Sequence, residues 1–175
     1  MELYDYFRSS ASFRVRIGLN LKGLSPERHS VHLTREGGEQ FGPDFTKLNP
    51  QQLVPVLADE GEAFTQSLAI LEYLDETHPE PPFLPNEAAG RARVRSLALS
   101  IACDLHPLNN LRVLCYLRDQ LDQPEEARNT WYRHWVAKGL EALEGALAGD
   151  THTGKFCHGD MPGLSDICLV PQIFN

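Results

Sequence analysis

Arg8-Ser9-Ser10 stands between a stretch that alternates like a strand and one with helical spacing. Hydroxyls placed there lie beside the unsatisfied amides of a helix N-terminus, where the helix dipole favours negative charge. Such a turn can hold an anion; its plain alternative is an N-cap, and taken alone the three residues read as a cap. Val54-Pro55 is an X–Pro bond between a loop and a strand. A cis bond would turn the chain there and expose the backbone groups of Val54, and an ordinary edge-strand proline is the alternative. Gln66-Ser67 opens another helix, and a side-chain amide next to a hydroxyl suits a carboxylate, with capping alone as the alternative. What raises all three is their order along one βαβ-ββα unit.

The elements that must position these residues follow from local signals. Residues 2–7 alternate and are aromatic-rich, as a strand is, and the next segment puts Phe13, Ile17 and Leu21 on one helical stripe before Lys22-Gly23 ends it. Residues 29–33 read as a second strand, parallel to the first if the helix is a crossover. A short helix near Phe45 to Leu48 precedes a strand at Val56, and Glu62 to Thr65 follows closely enough for a hairpin. A helix then runs from Gln66-Ser67 to about Thr77, with Leu68, Leu71 and Leu74 or Tyr73 inward, and His78-Pro79 stops it. Pro79, Pro81, Pro82 and Pro85 make a stiff connector. Beyond it the pattern is helical: a long run from Gly90 to Leu117, another from about Glu126 to Leu147, and a third from near Leu164. The expected organisation is residues 1–79 as an α/β domain, 80–89 as linker and 90–175 as an all-helical domain.

The 175 residues, 42% hydrophobic and 23% charged, suit a folded chain of one ordinary domain or two small ones. A net charge of −8 argues against nucleic acid or anionic lipid as the main partner, since both call for a basic surface. The opening Met1-Glu2-Leu3 leads straight into structured sequence, so no signal peptide is expected, and no window approaches a membrane span. Cys103, Cys115, Cys157 and Cys168 show neither a CxxC pair nor zinc spacing; they read as reduced thiols of a cytoplasmic protein, and no metal site is assigned.

Ser9-Ser10-Ala11-Ser12-Phe13-Arg14-Val15-Arg16-Ile17 resembles the serine-rich signature of the maleylacetoacetate isomerase or zeta-class glutathione transferase family. Leu53-Val54-Pro55 and Gln66-Ser67-Leu68-Ala69-Ile70 resemble its glutathione-site elements in the same order, and the likeness continues through Cys103 to Arg112 and from Gly159-Asp160 to Leu169-Val170-Pro171-Gln172. The resemblance implies a thioredoxin-like glutathione-binding domain followed by an all-α domain, the latter shortened at its C-terminus because relatives continue past the position of Asn175. It implies that Ser9, with Ser10 as nearest rival, donates to the glutathione sulfur. Gln40 and the backbone of Val54 would hold the peptide, Gln66 and Ser67 the γ-glutamyl end, and His106 and Asn110 of the helical domain would complete the glutathione contacts. A homodimer is also implied, with the first domain of one subunit against the helices of the other.

The activity so implied is cis–trans isomerisation of maleylacetoacetate, a cis-enone diacid, in tyrosine and phenylalanine catabolism. Glutathione serves as a cofactor whose thiolate adds reversibly to the conjugated bond. Bringing a thiol from about 8.5 down by roughly two units takes about 2.7 kcal/mol. A hydrogen bond to a charged group contributes roughly 1.5–3 kcal/mol and a helix N-terminus up to about 2, so Ser9 and the amides beside it suffice, with Ser10 and Ser12 on hand to cap the helix. Arg8 and Arg112 are candidates to grip the substrate carboxylates bidentately, with surface ion pairing as the alternative. Pro107 should kink its helix, and His106 suits packing as well as acid–base work. Ala11 stands where many relatives carry cysteine, and Gly163 replaces the Ser or Thr that normally opens the capping box completed by Asp166. Maleylpyruvate isomerase, a broader glutathione transferase or haloacid dehalogenase, and a non-catalytic interaction protein of the same fold remain as alternatives.

Overall fold

The computed structural model describes Met1–Asn175, which divide into two compact units, Met1–Phe83 with Ile173–Asn175, and Leu84–Gln172. The first holds a four-stranded sheet of β1 (Glu2–Asp5), β2 (Glu27–Ser30), β3 (Val56–Asp59) and β4 (Glu62–Thr65), in the order β2-β1-β3-β4. β1 and β2 run parallel, and β3 is antiparallel to both β1 and β4. Side chains alternate across a pleated strand. Adjacent Val56 and Leu57 accordingly join different clusters: Leu57 packs with Leu3, Val15, Leu19, Ile70 and Leu74, and Val56 with Tyr6, Val31, Phe45 and Val54. Each fully buried aliphatic contributes about 1.5–3 kcal/mol.

β2 lies earlier than the expected residues 29–33. It is an edge strand of polar residues, Glu27-Arg28-His29-Ser30, placed by pairing with β1 from Glu2↔Glu27 to Asp5↔Ser30, so no apolar alternation marks it. Apolar Val31 follows the ladder, held by a hydrogen bond from its N–H to Asp5 O. The β3–β4 turn is Glu60-Gly61 with φ of 50° and 88°, both left-handed as a two-residue primed hairpin turn requires.

Helix α1 (Ser10–Leu21) is capped by Ser9 and closed by Gly23 at φ 69°, whose N–H reaches Asn20 O while that of Leu24 reaches Leu19 O, a Schellman closure. Its buried face is Ser12, Arg14, Val15, Gly18 and Leu19, whereas the stripe of Phe13, Ile17 and Leu21 is only half-buried. Gly18 explains this rotation: a Cβ there would collide with Leu71 of α3 (Ser67–Thr77), so the glycine side is where α1 and α3 approach. In α3, Ile70, Leu71 and Leu74 are fully buried, while Leu68 and Tyr73 are half-buried. The short α2 spans Pro43–Leu48.

The second unit contains α4 (Ala88–Leu99), α5 (His106–Asn109), α6 (Leu111–Asp119), α7 (Glu125–Leu147) and most of α8 (Leu164–Phe174). The expected single run from Gly90 to Leu117 is interrupted twice. Residues Ser100–Leu105 form a π-helix in which the His106 N–H reaches back to Ile101 O, just before Pro107, which has no N–H to offer. Asn110 then leaves helical geometry at ψ 146° and caps α6, its side chain accepting from the Arg112 N–H. At α8, Gly163 supplies no hydroxyl, but Asp166 keeps its half of the capping box by accepting from the Gly163 N–H at 2.9 Å. No helix is long and apolar enough to cross a membrane.

Candidate functional site

Register brings the first unit's candidate segments to one end of the sheet. Tyr4 pairs with Val56 and Val56 with Thr65, so one row of the sheet joins the end of β1, the start of β3 and the end of β4. The chain leaves β1 there toward Arg8-Ser9-Ser10, enters β3 there from Val54-Pro55, and leaves β4 there into Gln66-Ser67. Parallel β2 also ends there, at Ser30 opposite Asp5, before the segment that carries Gln40.

Ser9 is half-exposed and is the N-cap of α1: its Oγ accepts from the Ser12 N–H at 3.2 Å. A hydroxyl has one proton and two acceptor lone pairs. With one lone pair engaged, Ser9 keeps its proton for an outside acceptor. Ser10, the first helical residue, is buried, and Ser12 is fully buried with its Oγ accepting from the Tyr6 N–H at 3.4 Å. The turn before Ser9 is held by Arg16, which donates to Asp5 at 2.8 Å and to the carbonyls of Tyr6 and Phe7 at 3.3 and 3.1 Å. Arg28 donates to the same Asp5 oxygen at 2.7 Å, which accounts for a carboxylate that is nearly inaccessible. Arg8 is exposed and pairs with no carboxylate.

The Val54–Pro55 peptide is cis, as is Glu80–Pro81. Val54 buries its side chain, and the loop before it is pinned by Asn49, a buried residue whose Nδ2 donates to Leu53 O at 2.7 Å while its Oδ1 accepts from the Gln51 N–H at 3.0 Å. Gln66 sits at φ 66°, ψ 118°, a conformation that costs a non-glycine residue about 1–3 kcal/mol and concentrates at ligand sites. Its side chain does not cap α3; it donates to Gln51 Oε1 at 2.8 Å, joining the two loops. Ser67 is buried and its Oγ accepts from Arg14 Nη1 at 3.3 Å. Gln40 is buried too, its Nε2 donating to Leu33 O at 3.4 Å while its Oε1 has no hydrogen-bond partner, an acceptor that a peptide N–H of a ligand would satisfy.

In the helical unit, His106 opens α5 directly after the π-helix and is half-buried. Asn110 is engaged as the cap of α6, and Arg112 on that helix is exposed and unpaired with any carboxylate. Trp131 of α7 fixes this bend by donating from Nε1 to Leu108 O at 2.7 Å. Reading the sequence singled out neither Asn49, Gln51, Arg14 nor Arg16. The two arginines lay within the serine-rich stretch that resembles the family signature, but no role was assigned to them there.

This chemistry fits an anionic ligand that also carries an N–H donor: hydroxyl protons at two helix N-termini, a buried amide acceptor and a loop held next to them. The family model of the glutathione S-transferase N-terminal domain matches residues 3–82. A maleylacetoacetate isomerase of Pseudomonas aeruginosa is 49% identical over 175 residues, covering 99% of this chain and 80% of the relative. A holo structure of a bacterial zeta-class maleylpyruvate isomerase superposes with a TM-score of 0.95 at 46% identity, over 99% of this chain and 81% of that one. A maleylacetoacetate isomerase structure from Methylobacterium extorquens AM1, with bound malonate and glutathione, does so with a TM-score of 0.95 at 43% identity, over 99% and 81%.

Proposed function

Since the chain belongs to the zeta-class glutathione transferase family of maleylacetoacetate and maleylpyruvate isomerases, we propose that it converts maleylacetoacetate to fumarylacetoacetate with glutathione as cofactor, in aromatic amino-acid catabolism. The observation that carries the reading is the meeting, at one sheet end, of Ser9 and Ser67, each accepting from an internal donor and so presenting its own proton outward. The relative that binds malonate, a dicarboxylate, together with glutathione supports a diacid substrate.

Glutathione, when bound, supplies a thiolate that adds reversibly to the conjugated bond and so frees it to rotate. Ser9 donates its proton to the sulfur and, with the positive end of α1, holds it ionised; Ser10 is the alternative donor. The backbone of Val54 and the free Oε1 of Gln40 hold the peptide, and Gln66 and Ser67 hold the γ-glutamyl end. His106 and Asn110 are the helical unit's contribution to glutathione. Arg8 and Arg112, exposed and unpaired, are assigned to the substrate carboxylates, which a chain of net charge −8 must hold with local cations. The active form is proposed to be a cytoplasmic homodimer.

The test is the ultraviolet assay of maleylacetoacetate conversion with and without glutathione. Conversion that requires glutathione without consuming it is expected, and an equal rate without it refutes the reading. Arg8→Met or Arg112→Met should raise the substrate KM about ten-fold with glutathione affinity nearly unchanged; equal weakening of glutathione binding would move the residue to the cofactor site. The likeness to a maleylpyruvate isomerase favours one second reading, which a larger kcat/KM on maleylpyruvate would establish.

A further inference from the structure

We infer that Arg14 is a positioning residue for glutathione binding, which sets the direction in which the Ser67 hydroxyl donates; the inference rests on the function proposed above. Arg14 lies on α1, its residue 2% exposed, and its Nη1 donates to Ser67 Oγ at 3.3 Å. A guanidinium carries donors and no acceptor, whereas a serine hydroxyl has one proton and two lone pairs. Their hydrogen bond therefore runs one way: Arg14 donates and Ser67 accepts. The Ser67 proton cannot turn inward to Arg14 and is left for an acceptor elsewhere, which the γ-glutamyl carboxylate supplies.

The helix packing makes this contact possible. Gly18, one turn after Arg14, lets α1 approach Leu71 of α3, and a side chain on a helix leans toward its own N-terminus. Arg14 thereby reaches the first residue of α3 from inside the core. Its charge adds to the positive field of that helix N-terminus, where a ligand carboxylate is favoured. The serine helix and the Ser67 helix thus share one buried cation, and Arg14 acts on the ligand through Ser67 without touching the reacting sulfur.

The test compares the wild-type protein, Arg14→Gln, Arg14→Lys, Ser67→Ala and the double variant Arg14→Gln/Ser67→Ala. Calorimetry measures glutathione and an analogue lacking the α-carboxylate of its glutamyl residue, and kinetics measure KM for glutathione against kcat. Gln places an acceptor where Arg14 has none, so Arg14→Gln should weaken glutathione about ten-fold with kcat at saturation nearly unchanged. The double variant should be no weaker than Ser67→Ala to within a factor of about two, because both changes remove one interaction. Arg14→Lys, still a pure donor, should recover most of the affinity, and the analogue should be indifferent to Arg14→Gln. Losses that multiply in the double variant, or an analogue weakened as much as glutathione, overturn the inference. A wild type that binds the analogue as tightly as glutathione instead refutes the assignment of the γ-glutamyl end to Ser67, and one that binds no glutathione refutes the proposed function. If Arg14→Gln does not fold, Arg14→Met, which removes the donor, takes its place: the inference stands if Arg14→Met weakens glutathione binding and its double variant with Ser67→Ala matches Ser67→Ala, and falls if the single variant has no effect or the double variant is weaker.

Discussion

Ser9 is the N-cap of α1 and the proposed donor to the glutathione sulfur, two tasks for one oxygen that separate by substitution. As N-cap it accepts from the Ser12 N–H, and neither neighbour replaces it: Ser12 Oγ is committed to the Tyr6 N–H, and Ser10 is already inside the helix. The expectation that these serines would take over the cap is therefore corrected. Ser9→Ala should cost about 1 kcal/mol of stability and Ser9→Gly only a few tenths. Both should raise the titration point of bound glutathione and lower neutral-pH turnover equally, with recovery at alkaline pH, as the thiolate absorbance and kcat would record. If both curves stay in place and Ser10→Ala shifts them, the donor is Ser10.

Two clusters bind elements to the segments that follow them. Lys22, at the end of α1, has a fully enclosed side chain that donates to Asp75 of α3 at 2.7 Å and to Pro81 O at 2.6 Å and lies 4.1 Å from the Phe83 ring centre. Asp75 also accepts from the Phe83 N–H at 2.8 Å, so one ion pair ties the proline-rich segment to both helices. Lys22→Met leaves that carboxylate without its cation and should lower the unfolding free energy by about 3 kcal/mol, read as a shifted denaturant midpoint at unchanged slope. In the helical unit, Asp150 accepts from the His152 N–H at 2.8 Å and from Arg93 Nε at 3.1 Å, while Arg93 also donates to Cys157 O and Thr153. The His152 N–H first, then the His152 ring and Arg93, hold the Asp150 carboxyl down at about 2 from its ordinary 3.8. A depressed carboxylate stabilises the fold above its unfolded value and loses that contribution as pH falls through the folded one. Stability should therefore drop between about pH 4 and pH 2, and Asp150→Asn should flatten that part of a denaturant-midpoint profile; an unchanged profile would show that this carboxylate is not coupled to folding.

For the molecule as a whole, several large apolar side chains stay exposed, among them Phe7, Phe41, Tyr116 and Phe174. The proposed homodimer should scatter light at twice the chain mass across micromolar concentrations, and a constant monomer mass would refute it. A folded partner copy would also make thermal stability rise with concentration, because association stabilises only the native state.

Much of this protein was legible in short stretches of chain, because helix stops, short strand spacings and X–Pro bonds are chemistry of a few neighbouring residues. Gly23, the close spacing of Val56 and Glu62 to Thr65, the Ser9 and Gln66-Ser67 helix starts and the four prolines from Pro79 to Pro85 announced the element order. The ordered motifs also carried the likeness to a family. What depended on distant partners was not legible. The polar edge strand β2 takes its place from β1, and the buried face of α1 from the approach of Gly18 to Leu71. The helical run breaks at Asn110, where a side chain satisfies the next helix's amides. That four separate segments meet at one sheet end follows from strand register, and which way the Ser67 proton points follows from Arg14, 53 residues away in sequence. Residue types along the chain determined the chemistry available here; only tertiary packing decided the direction of each hydrogen bond, because a donor's orientation is set by whichever acceptor the fold brings within reach.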